Sequence, residues 1–578
     1  MKNSKLFWLL GLVLVLGMFL AACGGGDEAE EEGTDTPTET ETPAEGEGES
    51  EGTETAGEPD AEQVLNLVES ADIPTMDSAI AEDAVAFNIL NNVNEGLFRL
   101  NEENVAIPAL AEGEPEISED GLTYTFKLRD ANWSDGTPIT ANDFVFSWQR
   151  ALDPAVGSPY GPYMMAGTIA GATEVSEGAD PSTLGVVAED DKTLVVTLER
   201  PTPYFMSLMA FGTFYPQNEE FVTAQGADYA QTSENLLYNG PFVLSNWDIT
   251  QGGGWTMEKN PEYWDAETVT LETINVSVVK ETATAINSYD TGDIDRAGLS
   301  AEYALQRGED PDVVKELEPT LFYLKFNQER NGEETPLANV NIRKALSMAF
   351  NKQDLVDVVL ANGSLPANYL VPTEFAFTEN GEDFREVNGD LTEFNAEQAK
   401  EFWATGLEEI GETEVTLELL GGDSELAGKM DAYLKDQMET NLEGLTVNLK
   451  AVPFAVRLEL DESQDYDIQN SGWGPDFQDP MTFIDLFVTG SSHNLMSYSN
   501  EEFDSLVEQA KGELATDLEG RWQAMADAER ILIEEDAAIA PIYQRGLMSL
   551  QKPYVKNIIS HPFGGDYSYK WAYISGKE

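Results

Sequence analysis

The chain has 578 residues, with 107 acidic side chains against 32 basic ones, a formal net charge of −75, two histidines and one cysteine. Such a charge repels nucleic acid and anionic membrane surfaces. A single cysteine excludes an intramolecular disulfide framework and Cys-based zinc or iron–sulfur sites, and His493 and His561 cannot form an H-E-x-x-H pair.

In chain order, Lys2 and Lys5 precede an apolar stretch from Phe7 to Ala22. This is shorter than the roughly 20 residues a membrane span needs and suits the hydrophobic region of a secretory signal. It ends Leu20-Ala21-Ala22-Cys23, which resembles the lipobox of bacterial lipoproteins. That resemblance implies removal of residues 1–22, a lipid on Cys23 and a place on the outer face of the cell membrane. Residues 23–62 hold 16 of the acidic residues and no Lys, Arg or aromatic side chain after Cys23. Such a segment cannot bury enough apolar area to offset its ordering entropy, and it is expected to be a disordered tether. Most of the excess acid therefore belongs to the body. With 41% hydrophobic and 10% aromatic residues overall, that body is globular and long enough for two or three domains.

The body is mixed α and β. Asp120-Gly121 signals a turn, after which Leu122, Tyr124, Phe126 and Leu128 alternate with Thr123, Thr125, Lys127 and Arg129, the pattern of a half-buried strand. Thr140 with Asp143 predicts a capping box ahead of a helix burying Phe144, Trp148 and Leu152. Strands are expected over Val269–Val279 and Pro319–Asn327, and two short helices over Asn341–Leu360. Ser499 with Glu502 predicts a second capping box, before Phe503, Leu506 and Ala510.

Catalytic signatures are missing. No G-x-S-x-G elbow occurs. The stretch from Gly422 to Met430 has five residues between its glycines and Met after the Lys, so it departs from a phosphate-cradling loop. There is no EF-hand loop. With acids this abundant, carboxylate pairs carry no information about a two-carboxylate hydrolase.

Six blocks read together carry a family resemblance. They are NEGLFRL (Asn94 to Leu100), the DGLTYTFKLR and WSDGTPITANDFVFSWQR pair within 120–150, YNGPFVLSNW (Tyr238 to Trp247), NPEYWDAETVTLETI (Asn260 to Ile274), VNIRKALSMAFNKQDLVDVVL (Val340 to Leu360) and GWGPDFQDPMTFIDLF (Gly472 to Phe487). In this order, behind a lipobox, they resemble the oligopeptide- and dipeptide-binding lipoproteins of bacterial ABC importers, extracellular solute-binding family 5. The resemblance implies an α/β, two-lobed periplasmic-binding-protein-like (venus-flytrap) fold with an additional third domain. Lobe I would comprise 63–101, 226–320 and 544–578, the additional domain 102–225, and lobe II 321–543. It also implies a peptide ligand closing the cleft, a permease partner whose ATPase supplies the energy, and a monomeric binder without cofactor, metal or catalysis.

The same resemblance gives site residues. Asp476 corresponds to the aspartate that pairs with a peptide's α-ammonium, although a loop or cap role would also suit it. Trp473 would offer its ring to a peptide side chain, or else pack in the core. Gly472 and Gly474 would leave room for strand-like pairing with ligand backbone. Asn239 is a polar contact or simply part of an Asn-Gly turn. Asp479, before Pro480, reads as a helix cap, and Arg343 as the partner of a surface carboxylate. Some relatives carry a basic residue at the position of Asn470, suited to a peptide's C-terminal carboxylate; its replacement here puts a fixed peptide length in doubt. Three functions stay open: peptide capture for an importer, a non-peptide binder on the same scaffold (a nickel complex, sugar, opine or signalling peptide), and an extracellular acid hydrolase.

Overall fold

Strands alternating buried and solvent-facing residues build a four-stranded sheet in the order Val64–Glu69, Thr273–Val278, Gly254–Lys259, Phe242–Ser245. The first pair is parallel and the others antiparallel, so the opening strand finds its partner in a distant part of the chain. The computed structural model describes residues 58–378 and 380–577. The expected leader, Cys23 and the tether as far as residue 57 lie outside them. Residues 58–60 depart from the tether expectation. The Asp60 carboxylate accepts from the backbone N–H groups of Gly576 and Lys577 at 3.0 and 2.7 Å, and Ser575 Oγ donates to the Glu58 carbonyl at 2.9 Å. Free donors of the C-terminal segment hold these acids in place.

A second four-stranded sheet is wholly antiparallel, in the order Glu116–Ile117, Thr123–Lys127, Thr193–Thr197, Val186–Asp190. Its Thr123–Lys127 strand buries Tyr124 and Phe126 as the alternation predicts. The helix Ala141–Leu152 follows, and Asp143 Oδ2 accepts from the backbone N–H and hydroxyl of Thr140 at 2.7 and 3.1 Å. Phe144 and Trp148 are fully buried on its inner face.

The third sheet has seven strands. Its main order is Arg296–Gly298, Ile539–Gln551, Val313–Phe326, Ile468–Trp473, Val415–Gly422, Leu445–Val452, with Leu365–Pro366 added to Ile539–Gln551. The two long strands, Val313–Phe326 and Ile539–Gln551, are antiparallel neighbours whose register breaks between Leu317 and Leu321. Pro319 lies in that break, where its missing N–H costs no ladder bond. One end of this ribbon packs in a small core with Ile286, Tyr289 and Leu550. The other enters a core of Leu324, Phe326, Leu346 and Ile468. A third, larger core joins the first two sheets to the 477–487 segment.

Several local expectations shift. The Pro319–Asn327 strand is the second half of Val313–Phe326, and Val269–Val279 forms a strand only over Thr273–Val278. Asn341–Leu360 divides into Val340–Met348 and Lys352–Asp354, the latter continuing as a π-helical turn over Leu355–Leu360. The Ser499 capping box is not formed. Asn500 is the cap, its Oδ1 accepting from Glu502 and Phe503 N–H at 2.9 and 3.1 Å, while Ser499 Oγ accepts from Thr489. An amide oxygen one residue later reaches the same donors, so the chain enters the helix one position further on. Arg343 is buried rather than on the surface. Its guanidinium donates to the carbonyls of Leu337, Ala338 and Asp536 and, among the described residues, to no carboxylate. No helix among the described residues is long and apolar enough to cross a membrane.

Candidate functional site

The Ile468–Trp473 strand sets the site. Along its whole length it pairs antiparallel with Val313–Phe326, from Phe326↔Ile468 to Leu321↔Trp473. On its other side Val415–Gly422 pairs only with Ile468 and Gln469. Among the described residues, Ser471, Gly472 and Trp473 therefore have one edge with no neighbouring strand, a template for main-chain pairing. The small residue at 472 has a second reason besides this edge: a Cβ there would lie 2.8 Å from the Phe322 ring, which stacks on Tyr543 at 4.7 Å. At Gly474 the nearest neighbour would be Thr320 Oγ1 at 3.3 Å.

Beyond the strand the chain turns through Gly474-Pro475 into Asp476, whose N–H donates to Thr482 Oγ1 at 2.9 Å. Thr482 stands in the short helix Met481–Ile484, and Asp479 holds that helix start. Asp479 Oδ1 accepts from Met481 N–H at 2.9 Å, and the carboxylate takes both terminal nitrogens of Arg521 at 2.7 and 2.8 Å. Asp479 therefore has the capping place that its position before Pro480 suggested. The segment that carries Asp476 is anchored at both ends.

Asp476 is 4% exposed. Its Oδ1 accepts from the Tyr160 hydroxyl at 3.2 Å, and its Oδ2 has no partner among the described residues. Burial pushes its carboxyl well above the usual carboxylate range; the Tyr160 bond opposes this and the nearby charge of Asp485 adds to it. Asp485 in turn accepts from Tyr163 at 2.7 Å and pairs with Lys511 at 2.6 Å. Asp476 is thus a buried carboxyl with one acceptor unsatisfied, whose ionised form is costly unless a cation joins it.

Aromatic rings enclose that carboxylate. Tyr160 and Tyr163 come from the helix Tyr160–Met165. The Trp473 ring lies parallel to Tyr160 at 6.1 Å and edge-on to His493 at 5.0 Å and Tyr163 at 6.5 Å. His493 packs edge-on against both tyrosines as well. Burial pushes His493 down to about 3, so it is neutral at pH 7. Trp473 Nε1 and His493 Nε2 also have no partner among the described residues. The arrangement offers one carboxylate for a cation, apolar faces and unpaired nitrogens, and it suits an ammonium attached to a polar backbone.

Asn239 does not join this group. It is buried, its Oδ1 accepts from Glu95 N–H at 3.0 Å and Asn94 Nδ2 at 3.1 Å, and its Nδ2 donates to the Glu95 carbonyl at 2.9 Å. Its amide is spent on fixing the 94–95 turn. Asn470 donates to Asp431 Oδ1 at 2.9 Å, and its carbonyl accepts from Arg457 at 2.9 Å. Tyr160, Tyr163, His493, Arg457 and Asp431 escape sequence reasoning because nothing local marks them.

Elsewhere, His561 contacts Asn104 Oδ1 through Nδ1 at 2.7 Å and Ser568 Oγ through Nε2 at 2.8 Å. This has the connectivity of a nucleophile triad, but Ser568 is 0% exposed and the imidazole is pushed down to about 3 by burial. No substrate reaches that hydroxyl, and the ring is a poor base.

Comparison with known proteins extends this geometry. The family model of bacterial extracellular solute-binding proteins, family 5 Middle, matches residues 105–494. A dipeptide-binding protein of Lactococcus lactis is 34% identical over 517 residues, covering 87% of this chain and 93% of that relative. The structure of Listeria monocytogenes OppA bound to peptide is 47% identical, with a TM-score of 0.86 over 90% of this chain and 100% of that one. The Escherichia coli murein tripeptide-binding protein MppA, 28% identical, gives 0.80 over 90% of this chain and 100% of its own. Its unliganded open form gives only 0.58, over 89% and 98%.

Proposed function

The chain belongs to the bacterial extracellular solute-binding proteins of family 5, and from that premise we propose that it captures extracellular peptides between two lobes and delivers them to the permease of an ABC importer. The observation that carries this is Asp476, a buried carboxylate with Oδ2 unpartnered among the described residues and an aromatic enclosure around it. The α-ammonium of a peptide supplies the missing charge and donors. Its backbone pairs with the open edge at Ser471–Trp473, which gives affinity without dependence on side chains. Trp473, Gly472 and Gly474 thus serve the ligand, and Asn239 serves the frame beside it.

In this proposal the lobes are 63–101, 226–320 and 544–578 against 321–543, with 102–225 as the third domain. The register break between Leu317 and Leu321 supports a flexible point at the 320/321 junction. The low score against an open form supports a closed arrangement of the lobes here. The finer localisation belongs to the same proposal: signal removal, lipid on Cys23, and a monomer tethered on the outer face. The chain binds and hands over without catalysis, and energy comes from the partner ATPase.

Calorimetry of the full chain with mixed tri- to hexapeptides tests the function. Saturable binding with intact peptide recovered afterwards supports capture. Cleaved peptide, or no heat with any peptide, overturns it.

A further inference from the structure

We propose that two ion pairs, Lys280 with Asp423 and Lys429 with Glu302, clasp lobe I to lobe II and so help to hold the closed form on a captured peptide. This rests on the peptide-capture reading and on the lobe boundaries proposed with it.

Each pair joins elements of two different cores. Lys280 follows the strand Thr273–Val278, and its neighbour Val279 packs on the small core of Ile286, Tyr289 and Leu550. Glu302 stands in the first turn of the helix Ala301–Arg307, whose Ala304 belongs to that same core. Their partners come from another part of the fold. Asp423 follows the strand Val415–Gly422, and Lys429 lies in the helix Glu425–Asn441. Leu419 of that strand and Leu434 of that helix share the core of Leu324 and Ile468. Across this junction Lys280 Nζ reaches Asp423 Oδ2 at 2.7 Å, and Lys429 Nζ reaches Glu302 Oε2 at 2.9 Å. Each lobe therefore gives one cation and one anion.

Charge makes these pairs matter. Both lobes hold more acidic than basic residues, so closing them brings like charges together. Among the described residues these two are the only ion pairs that join lobe I to lobe II. Other cations are spent within one lobe, as Arg296 is on Glu316 and Lys325 on Asp461. Lys429 also bonds Glu425, one turn earlier in its helix, at 2.9 Å, which keeps its ammonium at the junction. Its bond to Glu302 holds that carboxyl below the usual carboxylate range.

The clasp is built to release. The four side chains are between 33% and 51% exposed, so water and salt keep each pair weak. Parting of the lobes about the 320/321 junction separates both pairs, so they act on the closed form alone. A contact present only in the binding-competent form raises the population of that form, and apparent affinity rises with it.

The test makes Lys280→Glu and Asp423→Lys singly and together in the full chain. Pentaalanine binding is read by calorimetry and by dissociation rate. Each single change sets like charges face to face and is expected to weaken binding about fivefold, mainly through faster dissociation. The double change restores opposite charges and is expected to bring affinity back to within about twofold of the native chain. Single variants that bind as the native chain does overturn the clasp, as does a double variant no tighter than the singles. A single variant whose urea midpoint falls while its affinity holds assigns the pair to stability alone and also overturns it. Failure of the native chain to bind pentaalanine and mixed tri- to hexapeptides overturns the capture reading itself, and this inference with it.

Discussion

Tyr160 and Asp476 stand 316 positions apart in the chain and meet through a 3.2 Å hydrogen bond from the tyrosine hydroxyl to Oδ1. That bond satisfies one carboxylate oxygen and leaves Oδ2 without a partner among the described residues. An ammonium ion suits the remaining position, which makes Asp476 the first residue to change.

Asp476→Asn keeps the size and the acceptor oxygen for Tyr160 but removes the charge. Peptide affinity is expected to fall roughly 30-fold or more. The melting temperature without peptide is expected to hold or rise, because the buried carboxylate it removes is unpaired. Calorimetry and thermal unfolding on the same sample check both.

Arg521→Ala leaves Asp479 buried without its bidentate partner, at a site where the two side chains are only 6% and 13% exposed. The expected cost is about 3 kcal/mol of stability. It is read as a shift of the urea midpoint with unchanged slope.

Gly472→Val places branched methyls against the Phe322 ring, which is itself held by stacking on Tyr543. The expected loss is about 1–3 kcal/mol by urea unfolding. Gly474→Ala meets only Thr320 Oγ1 at 3.3 Å and is expected to cost less.

Glu69 and Glu82 are expected to contribute stability that grows as pH falls from 8 to 6.5, while Lys352, pushed down to about 7 by burial, works against it over the same interval. Burial pushes Glu69 and Glu82 up to about 7, with Asp566 and Glu462 respectively adding to the rise. Groups raised in the folded state contribute stability that is full below their unfolded values near 4.5 and lost as pH rises through 7. Below 6.5 the two histidines oppose this, since His493 and His561 are pushed down to about 3 and bind protons first in the unfolded chain. Melting temperatures of the native chain and of Glu82→Gln at pH 8 and 6.5 decide it; an identical pH dependence in the two overturns the assignment of Glu82.

Cys23→Ala is expected to move the protein from the cell surface into the medium, measured by immunoblot of cells against culture supernatant. Retention on cells would refute lipid anchoring at this residue.

Local chemistry was legible wherever neighbours in sequence are neighbours in space. The Thr140–Asp143 box, the alternating Thr123–Lys127 strand and the cap at Asp479 all form as read. Where the same chemistry could be done one position along, reading slipped, as at Ser499 and Asn500. Arg343 is hard to place from sequence because the carbonyls of nearby Leu337 and Ala338 and of distant Asp536, not a surface carboxylate, satisfy its guanidinium. The acidic tether was drawn too long because the donors that hold Asp60 lie at the other end of the chain.

The six blocks in order were enough to indicate the family, because motif order is a property of the chain itself. Tertiary structure alone decided which of 107 acids matter. Burial strips water from Asp476, and removal of water, not the presence of a carboxyl group, sets it apart from an ordinary surface charge and makes it suited to a cation.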